Sequence, residues 1–309
     1  MIDRKGKGYI TIATGDIHYY EIAANLLLSY RFFCKNPLPF AIIAEEENEY
    51  TQLFDDVIIT DEAMRSFNDK FLLLKLCPYQ ETIFFDADCL AYGDLNVYWE
   101  LFADATDVSA FGINVGLEDD NGAWYNCDGI GKYADLIEYK SRVHAGVVFI
   151  RQSESLKKLY SDCMDLFLNY SSLYFLSWSG SVDECILGVA MPMNGMKTIR
   201  EDPYIFTSFP GLVNLKADIY NNCLQYKALW HDYVKNGLLL HWGTIQTKKP
   251  LYKYNVECLK YMISNKKSVK GFLFYDLKLK LILLRISYLP TCLKMSFLRI
   301  IRFIKKILN

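Results

Sequence analysis

Nine residues constrain this chain more than any others: Thr82-Ile83-Phe84-Phe85-Asp86-Ala87-Asp88-Cys89-Leu90, an apolar run ending in two carboxylates one residue apart. Ile83, Phe84 and Phe85 make the unbroken apolar run of a strand covered on both faces, as in a parallel sheet between helices. Asp86 and Asp88 then fall at its carboxyl end, and residues two apart in an extended chain share a side. Two like charges held together repel unless a cation joins them. Carboxylates suit hard divalent ions such as Mn2+ or Mg2+, which keep positions open for phosphate oxygens and water, so the pair would hold a diphosphate. The plain alternative is a solvated strand end, since one Asp-X-Asp triplet is a common pattern.

The surrounding chain alternates strand and helix. Residues 9–14 are rich in β-branched types and stop at Gly15-Asp16, after which Ile22, Leu26, Leu27, Tyr30 and Phe33 recur at helical spacing. Strands are expected at residues 40–43 and 57–59, a helix over 71–76 ending before Pro78, and then the Asp86 strand. In parallel sheets of this kind ligands bind beyond the carboxyl ends of the strands, where Gly15-Asp16 and Asp86-Ala87-Asp88 both lie. Residues 108–111 read as a further strand and residues 112–140 as a long loop or lid. A strand follows at 143–150, interrupted by Ala145-Gly146, where small residues permit either close approach of a ligand or a bulge. Leu156, Leu159, Tyr160, Cys163, Met164 and Phe167 form a core-facing helix, and Asp183-Glu184 open another, where carboxylates suit the helix dipole. Leu238, Leu239 and Leu240 make a last apolar strand ending in His241, followed by Gly243 and Lys248-Lys249-Pro250. An imidazole there could complete a metal site, and lysines after a glycine turn could hold phosphate oxygens.

No dinucleotide or P-loop glycine pattern follows the first strand, which removes two common nucleotide folds. The nine cysteines are scattered, without zinc-type pairing or a compact disulfide framework, and read as reduced core residues. At 309 residues, 52% hydrophobic and 23% charged, the chain has length for one large α/β domain. No apolar leader segment opens the sequence, so a cytoplasmic protein is expected. Net charge is −2, but residues 266–309 hold eleven basic residues against Asp276 alone, which leaves −12 on everything before them. That weakly acidic body argues against nucleic acid as a partner, and the basic apolar tail suggests an anionic membrane surface. In the tail, Arg299, Arg302 and Lys306 line one helical face, and Phe297, Ile301, Ile304 and Leu308 the opposite one. The expected division is therefore a catalytic domain over residues 1–265 and a basic amphipathic, membrane-associating tail over 266–309.

Several of these stretches together resemble the family-8 glycosyltransferases, the group of glycogenin and bacterial lipopolysaccharide sugar transferases, across residues 9–254. Ala13-Thr14-Gly15-Asp16-Ile17-His18-Tyr19 is similar to the family's first nucleotide-binding loop. Phe84-Phe85-Asp86-Ala87-Asp88 matches its metal motif, and His144-Ala145-Gly146-Val147 an Asn-Ala-Gly-Val stretch lining the donor sugar. Asp183-Glu184 resembles an Asp-Gln pair beside the anomeric centre, and His241-Trp242-Gly243 with Lys249-Pro250 the closing metal histidine and diphosphate lysine. His144 and Glu184 depart from the usual asparagine and glutamine.

The resemblance implies a single GT-A domain with a mostly parallel central sheet. It implies transfer of a hexose, with retention, from a nucleotide-diphosphate sugar such as a UDP-sugar to a glycan or lipid-linked acceptor, as in cell-surface polysaccharide synthesis. By the same likeness Asp86, Asp88 and His241 hold Mn2+ or Mg2+, and Lys70 and Lys249 assist the leaving diphosphate. Ala13, Thr14 and Asp16 hold the base and ribose. Tyr19 stacks on the base, with Tyr20 the alternative because the loop is one residue longer. Ala145, Gly146 and Gly243 line the donor, and Asp183 and Glu184 serve the sugar. Two other readings share features with this one: a haloacid-dehalogenase-type phosphatase, which also places Asp-X-Asp after an apolar strand, and a non-catalytic membrane-bound scaffold of transferase fold.

Overall fold

Tyr9 and Ile10 are adjacent, point to opposite faces of one strand and are both fully buried, so a sheet built around them needs a covering layer on each side. The computed structural model describes residues 6–118, 131–169, 183–200, 212–228 and 235–264. Its main sheet contains β1 (Lys7–Ala13), β2 (Phe40–Ala44), β3 (Asp56–Ile59) and β4 (Glu81–Phe85). After a short β5 (Cys89–Ala91) outside that sheet, β6 (Val108–Val115) and β7 (Lys140–Arg151) complete it. The spatial order is β3-β2-β1-β4-β7-β6, parallel from β3 to β4 and antiparallel across β4–β7 and β7–β6.

Helices supply the two layers. On the face of Tyr9, Ile83 and Phe85 lie Leu26, Leu27 and Tyr30 of α1 (Ile17–Phe33). On the face of Ile10, Phe84 and Val148 lies α2 (Leu73–Leu76), and Val97–Leu101 follows as α3. α4 (Ser155–Leu168) and α5 (Asp183–Met193) join α2 on that second face through Leu159, Cys163, Ile186 and Val189. Antiparallel β8 (Leu212–Asp218), β9 (Cys223–Ala228) and β10 (Lys235–Asn236) form a small second sheet, and β11 (Leu239–His241) pairs with β5. The described chain closes with α6 (Thr244–Thr247) and α7 (Pro250–Ser264), whose Leu259 packs on the α1 side.

Two expectations are revised. The helix expected over residues 71–76 is α-helical at Leu73–Leu76 and is entered through a 3-10 helix (Phe67–Leu72) that supplies its first two residues, with Pro78 two residues past its end. The loop expected over 112–140 is shorter, because β6 continues to Val115 and β7 begins at Lys140. Ser141 Oγ donates to Asn114 Oδ1 at 2.7 Å there, a polar strand pairing that carries no apolar signature. The expected strand ending in His241 is present as β11, paired with β5 beside the central sheet. Residues 119–130, 170–182 and the 266–309 tail, with their expected lid, loop and amphipathic helices, lie outside the described residues.

One irregularity positions the site. The β6–β7 register runs Ala110 to Val148 and then jumps to Phe111 opposite His144, so Ala145, Gly146 and Val147 bulge away from β6. Val147 keeps its place opposite Phe85 of β4, which carries Ala145-Gly146 to the carboxyl end of β4. Beside the bulge the strands approach so closely that a Cβ on Gly112 would stand 1.9 Å from the Arg142 carbonyl oxygen. Gly112→Ala is therefore expected to cost about 1–3 kcal/mol of stability by overpacking, read as a lower denaturant midpoint with unchanged slope.

Candidate functional site

Past β4 the chain turns sharply. The Asp86 N–H donates to the Gly146 carbonyl at 3.0 Å, and the Cys89 N–H returns to the Asp86 carbonyl at 3.1 Å. β5 then pairs with β11, which sets His241 opposite Cys89, and the Trp242 N–H donates to the Asp88 carbonyl at 3.1 Å. Trp242 is buried and packs edge-on against Tyr252 of α7, ring centroids 5.4 Å apart, so the imidazole sits next to a fixed anchor. As a result His241 Nε2 lies 3.0 Å from Asp88 Oδ1 and 3.6 Å from Asp86 Oδ2. One ligand atom from each of Asp86, Asp88 and His241 lies within 4.8 Å of the others.

Two further elements close on this group. Lys70, from the 3-10 helix, places Nζ 3.0 Å from Asp86 Oδ1 and 2.9 Å from Asp183 Oδ2 in the first turn of α5. Glu184 accepts a hydrogen bond on Oε1 from the Ala145 N–H at 3.2 Å. The bulge thus serves both sides, Gly146 with its carbonyl to Asp86 and Ala145 with its N–H to Glu184.

Burial raises the stakes of every charge here. For Lys70 desolvation alone would lower the pKa, but the Asp183 and Asp86 carboxylates outweigh it and hold the ammonium charged well above its ordinary range. For His241 burial also opposes the charge, and Asp88 outweighs it, bringing the imidazole up to about 8. Asp88 is in turn held below the usual carboxylate range, because the charge and hydrogen bond of His241 overcome its desolvation. Asp86, Asp88 and Asp183 thus gather around the Lys70 ammonium and the His241 imidazole. A divalent ion taking the place of an imidazole proton would add positive charge to this carboxylate-rich set. Two carboxylate oxygens and one nitrogen are a donor set such an ion accepts. Asp86, Asp88 and His241 could therefore hold a divalent metal.

The β1–α1 loop lies at the carboxyl end of the neighbouring strand. Ala13 ends β1, buried, and Thr14 Oγ1 donates to Asp69 Oδ2 at 2.6 Å. Gly15 adopts φ +79°, a left-handed conformation that glycine takes without strain. Asp16 caps α1, accepting from the His18 N–H at 2.8 Å. Tyr19 is 37% exposed, whereas Tyr20 is buried in the core with its hydroxyl accepting from the Glu45 N–H at 3.4 Å. Of the two rings, only that of Tyr19 is open to a ligand. Gly243, at φ +72°, caps α6; Lys248 ends that helix, and Lys249 follows it, exposed.

Lys70, Asp86, Asp88, Asp183 and His241 thus meet in direct ion pairs, with Ala145, Gly146 and Glu184 tied in by backbone hydrogen bonds. Five residues in or beside this group were given no role from sequence. Thr244 Oγ1 donates to Asp88 Oδ2 at 3.4 Å, His18 Nε2 and Thr247 Oγ1 are 2.9 Å apart, Glu45 accepts from the Gly15 N–H, and Asp69 holds Thr14. Glu45 alone had a readable signal, as a carboxylate just past the carboxyl end of a buried parallel strand.

No protein-family profile and no curated protein sequence matches the chain. Among solved structures, the galactosyltransferase LgtC, in complex with donor and acceptor sugar analogs, is similar at a TM-score of 0.50 and 14% identity, over 83% of this chain and 96% of that one. The bifunctional glycosyltransferase WbbM (TM-score 0.42, 13% identity) matches over 66% of this chain, which spans 40% of that protein's length. GlyE of Streptococcus pneumoniae (TM-score 0.45, 15% identity) matches over 85% of this chain and 64% of its own. The chain has the α/β fold of the GT-A glycosyltransferases.

Glu184 supplies a pH signature of its own. Burial, and then the neighbouring Asp183, raise its carboxyl from 4.5 to about 7, with Lys70 opposing. The native group keeps its proton up to about pH 7 and the unfolded one releases it near 4.5, so its stabilising contribution is full below about 4.5 and lost as pH rises to about 7. Glu184→Gln keeps an acceptor for Ala145 and removes the titration. In chelator, the wild-type stability minus that of the variant is expected to fall across that window and level off above it; a difference independent of pH would refute the assignment.

Proposed function

We propose that this protein is a metal-dependent glycosyltransferase that moves a hexose from a nucleotide-diphosphate sugar, with UDP the favoured nucleotide, to a glycan or lipid-linked acceptor. The observation that carries the reading is the convergence of Asp86, Asp88 and His241 with Lys70 and Asp183 at the carboxyl end of a GT-A sheet. A divalent cation, Mn2+ or Mg2+, bound by Asp86, Asp88 and His241 would supply Lewis-acid stabilisation of the departing diphosphate. Lys70 contributes a fixed positive charge beside that position, held by carboxylates on two sides. Asp183, buried, and Glu184, half-buried, at the start of α5 would face the sugar side, where hydroxyl binding and charge stabilisation at the anomeric carbon are needed. Tyr19 offers an exposed ring for stacking on the base, Thr14 and Asp16 line the same loop, and Lys249, exposed just beyond α6, would contact phosphate oxygens. Retention at the anomeric carbon, and a place in cell-surface polysaccharide synthesis, complete the proposal. The phosphatase alternative shares the carboxylate pair but not the fold, and the intact ligand set speaks against an inert scaffold.

Asp88→Ala is the direct test. Transfer from UDP-sugars is expected to fall by at least about 100-fold, and the Mn2+-dependent thermal stabilisation by UDP to vanish. The fold should survive, because the imidazole left without Asp88 can release its proton, and Lys70 keeps its pairs with Asp86 and Asp183. Unchanged turnover in that variant, or full activity in chelator, would overturn the reading.

Membrane attachment belongs to the same proposal. Among the described residues no helix is long and apolar enough to cross a membrane. The basic, amphipathic pattern of residues 266–309 supports peripheral binding at the cytoplasmic face, each basic residue adding about 1 kcal/mol near anionic lipid. Full-length protein should sediment with anionic vesicles at low salt, and protein lacking residues 266–309 should not. Equal sedimentation of the two forms would rule out the tail as the anchor.

A further inference from the structure

Asp69 is 3% exposed and forms no ion pair among the described residues, yet both of its oxygens are engaged. Oδ2 accepts from Thr14 Oγ1 and Oδ1 from the Met64 N–H, each at 2.6 Å. A buried carboxylate without a cation is costly, so its retention asks what it enforces. Its position gives the answer. Asp69 and Lys70 are consecutive in a 3-10 helix capped by Ser66, and with three residues per turn their side chains leave the axis about 120° apart. Asp69 is directed to the β1–α1 loop, whereas Lys70 is directed to Asp86 and Asp183.

A second link joins the same two segments. Glu45 accepts from the Gly15 N–H and, on Oε1, from Arg65 Nε at 3.0 Å, while Arg65 holds a left-handed φ of +52°. The Gly15 backbone lies under the Arg65 side chain, with room for only 3.8 Å between them had Gly15 a Cβ. The stretch from Met64 to Lys70 thus grips the β1–α1 loop at Thr14 and Gly15 and ends in the ammonium that joins Asp86 to Asp183.

We propose that Asp69 is a positioning residue that sets the β1–α1 loop and the Lys70 ammonium relative to each other through one buried carboxylate. On the function proposed above, the loop meets the nucleoside and Lys70 meets the diphosphate-sugar end, so Asp69 fixes the span between the two halves of the donor. Removing the carboxylate then disturbs both ends at once, whereas removing Thr14 Oγ1 alone disturbs only the loop.

Backbone hydrogen exchange on the ligand-free full-length protein tests the coupling without reference to any substrate. Asp69→Ala is expected to speed exchange in residues 13–17 and in residues 69–73 together, Thr14→Val in residues 13–17 only, and Asp69→Asn, which keeps an acceptor for Met64 and a partner for Thr14, in neither. Wild-type exchange in both segments of folded Asp69→Ala, or faster exchange in one segment alone, overturns the proposal. If Asp69→Ala does not fold, unaltered exchange in Thr14→Val overturns it. Kinetics with a UDP-sugar and Mn2+ provide the functional arm. Thr14→Val should raise KM several-fold at nearly constant kcat, and Asp69→Ala should raise KM and lower kcat, with Asp69→Asn restoring both. Wild-type protein that binds no nucleotide would refute the proposed function while leaving the exchange result to decide the role of Asp69.

Discussion

Lys70 is the interaction on which the site depends. Its ammonium is shared by Asp86, at the end of a central strand, and Asp183, at the start of a helix from the far half of the chain. Two carboxylates so deeply buried could not stand near each other and near Asp88 without it. Removing one member of such a buried set strands the others at a cost of about 3–5 kcal/mol. The central strands, the 3-10 helix and α5 are therefore joined electrostatically as well as by apolar packing. The second compensating group, His241, differs in kind, because its charge is a proton that a metal ion can replace. One cation is permanent and the other exchangeable, so the group could accept an ion at Asp86, Asp88 and His241 while Lys70 keeps Asp86 and Asp183 paired.

The insertion of an antiparallel strand makes this geometry possible. A purely parallel sheet would bring only strand ends and their following turns to the site. β7 instead runs back alongside β4 and passes the carboxyl end of that strand in mid-course, where its bulge presents Ala145 and Gly146. Backbone groups consumed by Asp86 and Glu184 come from this one irregularity.

What could be read from sequence was what local pattern carries. The buried run of residues 83–85, the β-branched first strand and the period of α1 follow from side-chain chemistry within a few residues, and each is where it was expected. The Asp86, Asp88 and His241 group was also legible, because each lies at the end of an apolar run. The β8–β9–β10 sheet was not, since its strands mix polar and apolar residues and its pairing is set by packing from elsewhere. Asp69 was hidden for a related reason: one aspartate in a polar triplet looks solvated until the fold closes over it. Tyr20 shows the reverse, an aromatic that sequence allowed beside the ligand and that packing claimed for the core.

The ribbon of β5 and β11 has a consequence for how the molecule comes into being. Thr244 reaches Asp88 across 156 positions of sequence, and His241 and Trp242 meet the same turn from almost as far. During synthesis from the amino end, the strands bearing both aspartates and Lys70 leave the ribosome long before the imidazole that neighbours them. A nascent chain can thus assemble its central sheet while its carboxylates still lack their exchangeable partner. The full set of Asp86, Asp88 and His241 is assembled only with the last segments of the domain, the same segments whose Leu239, Leu240, Trp242 and Leu259 complete the core on the α1 side.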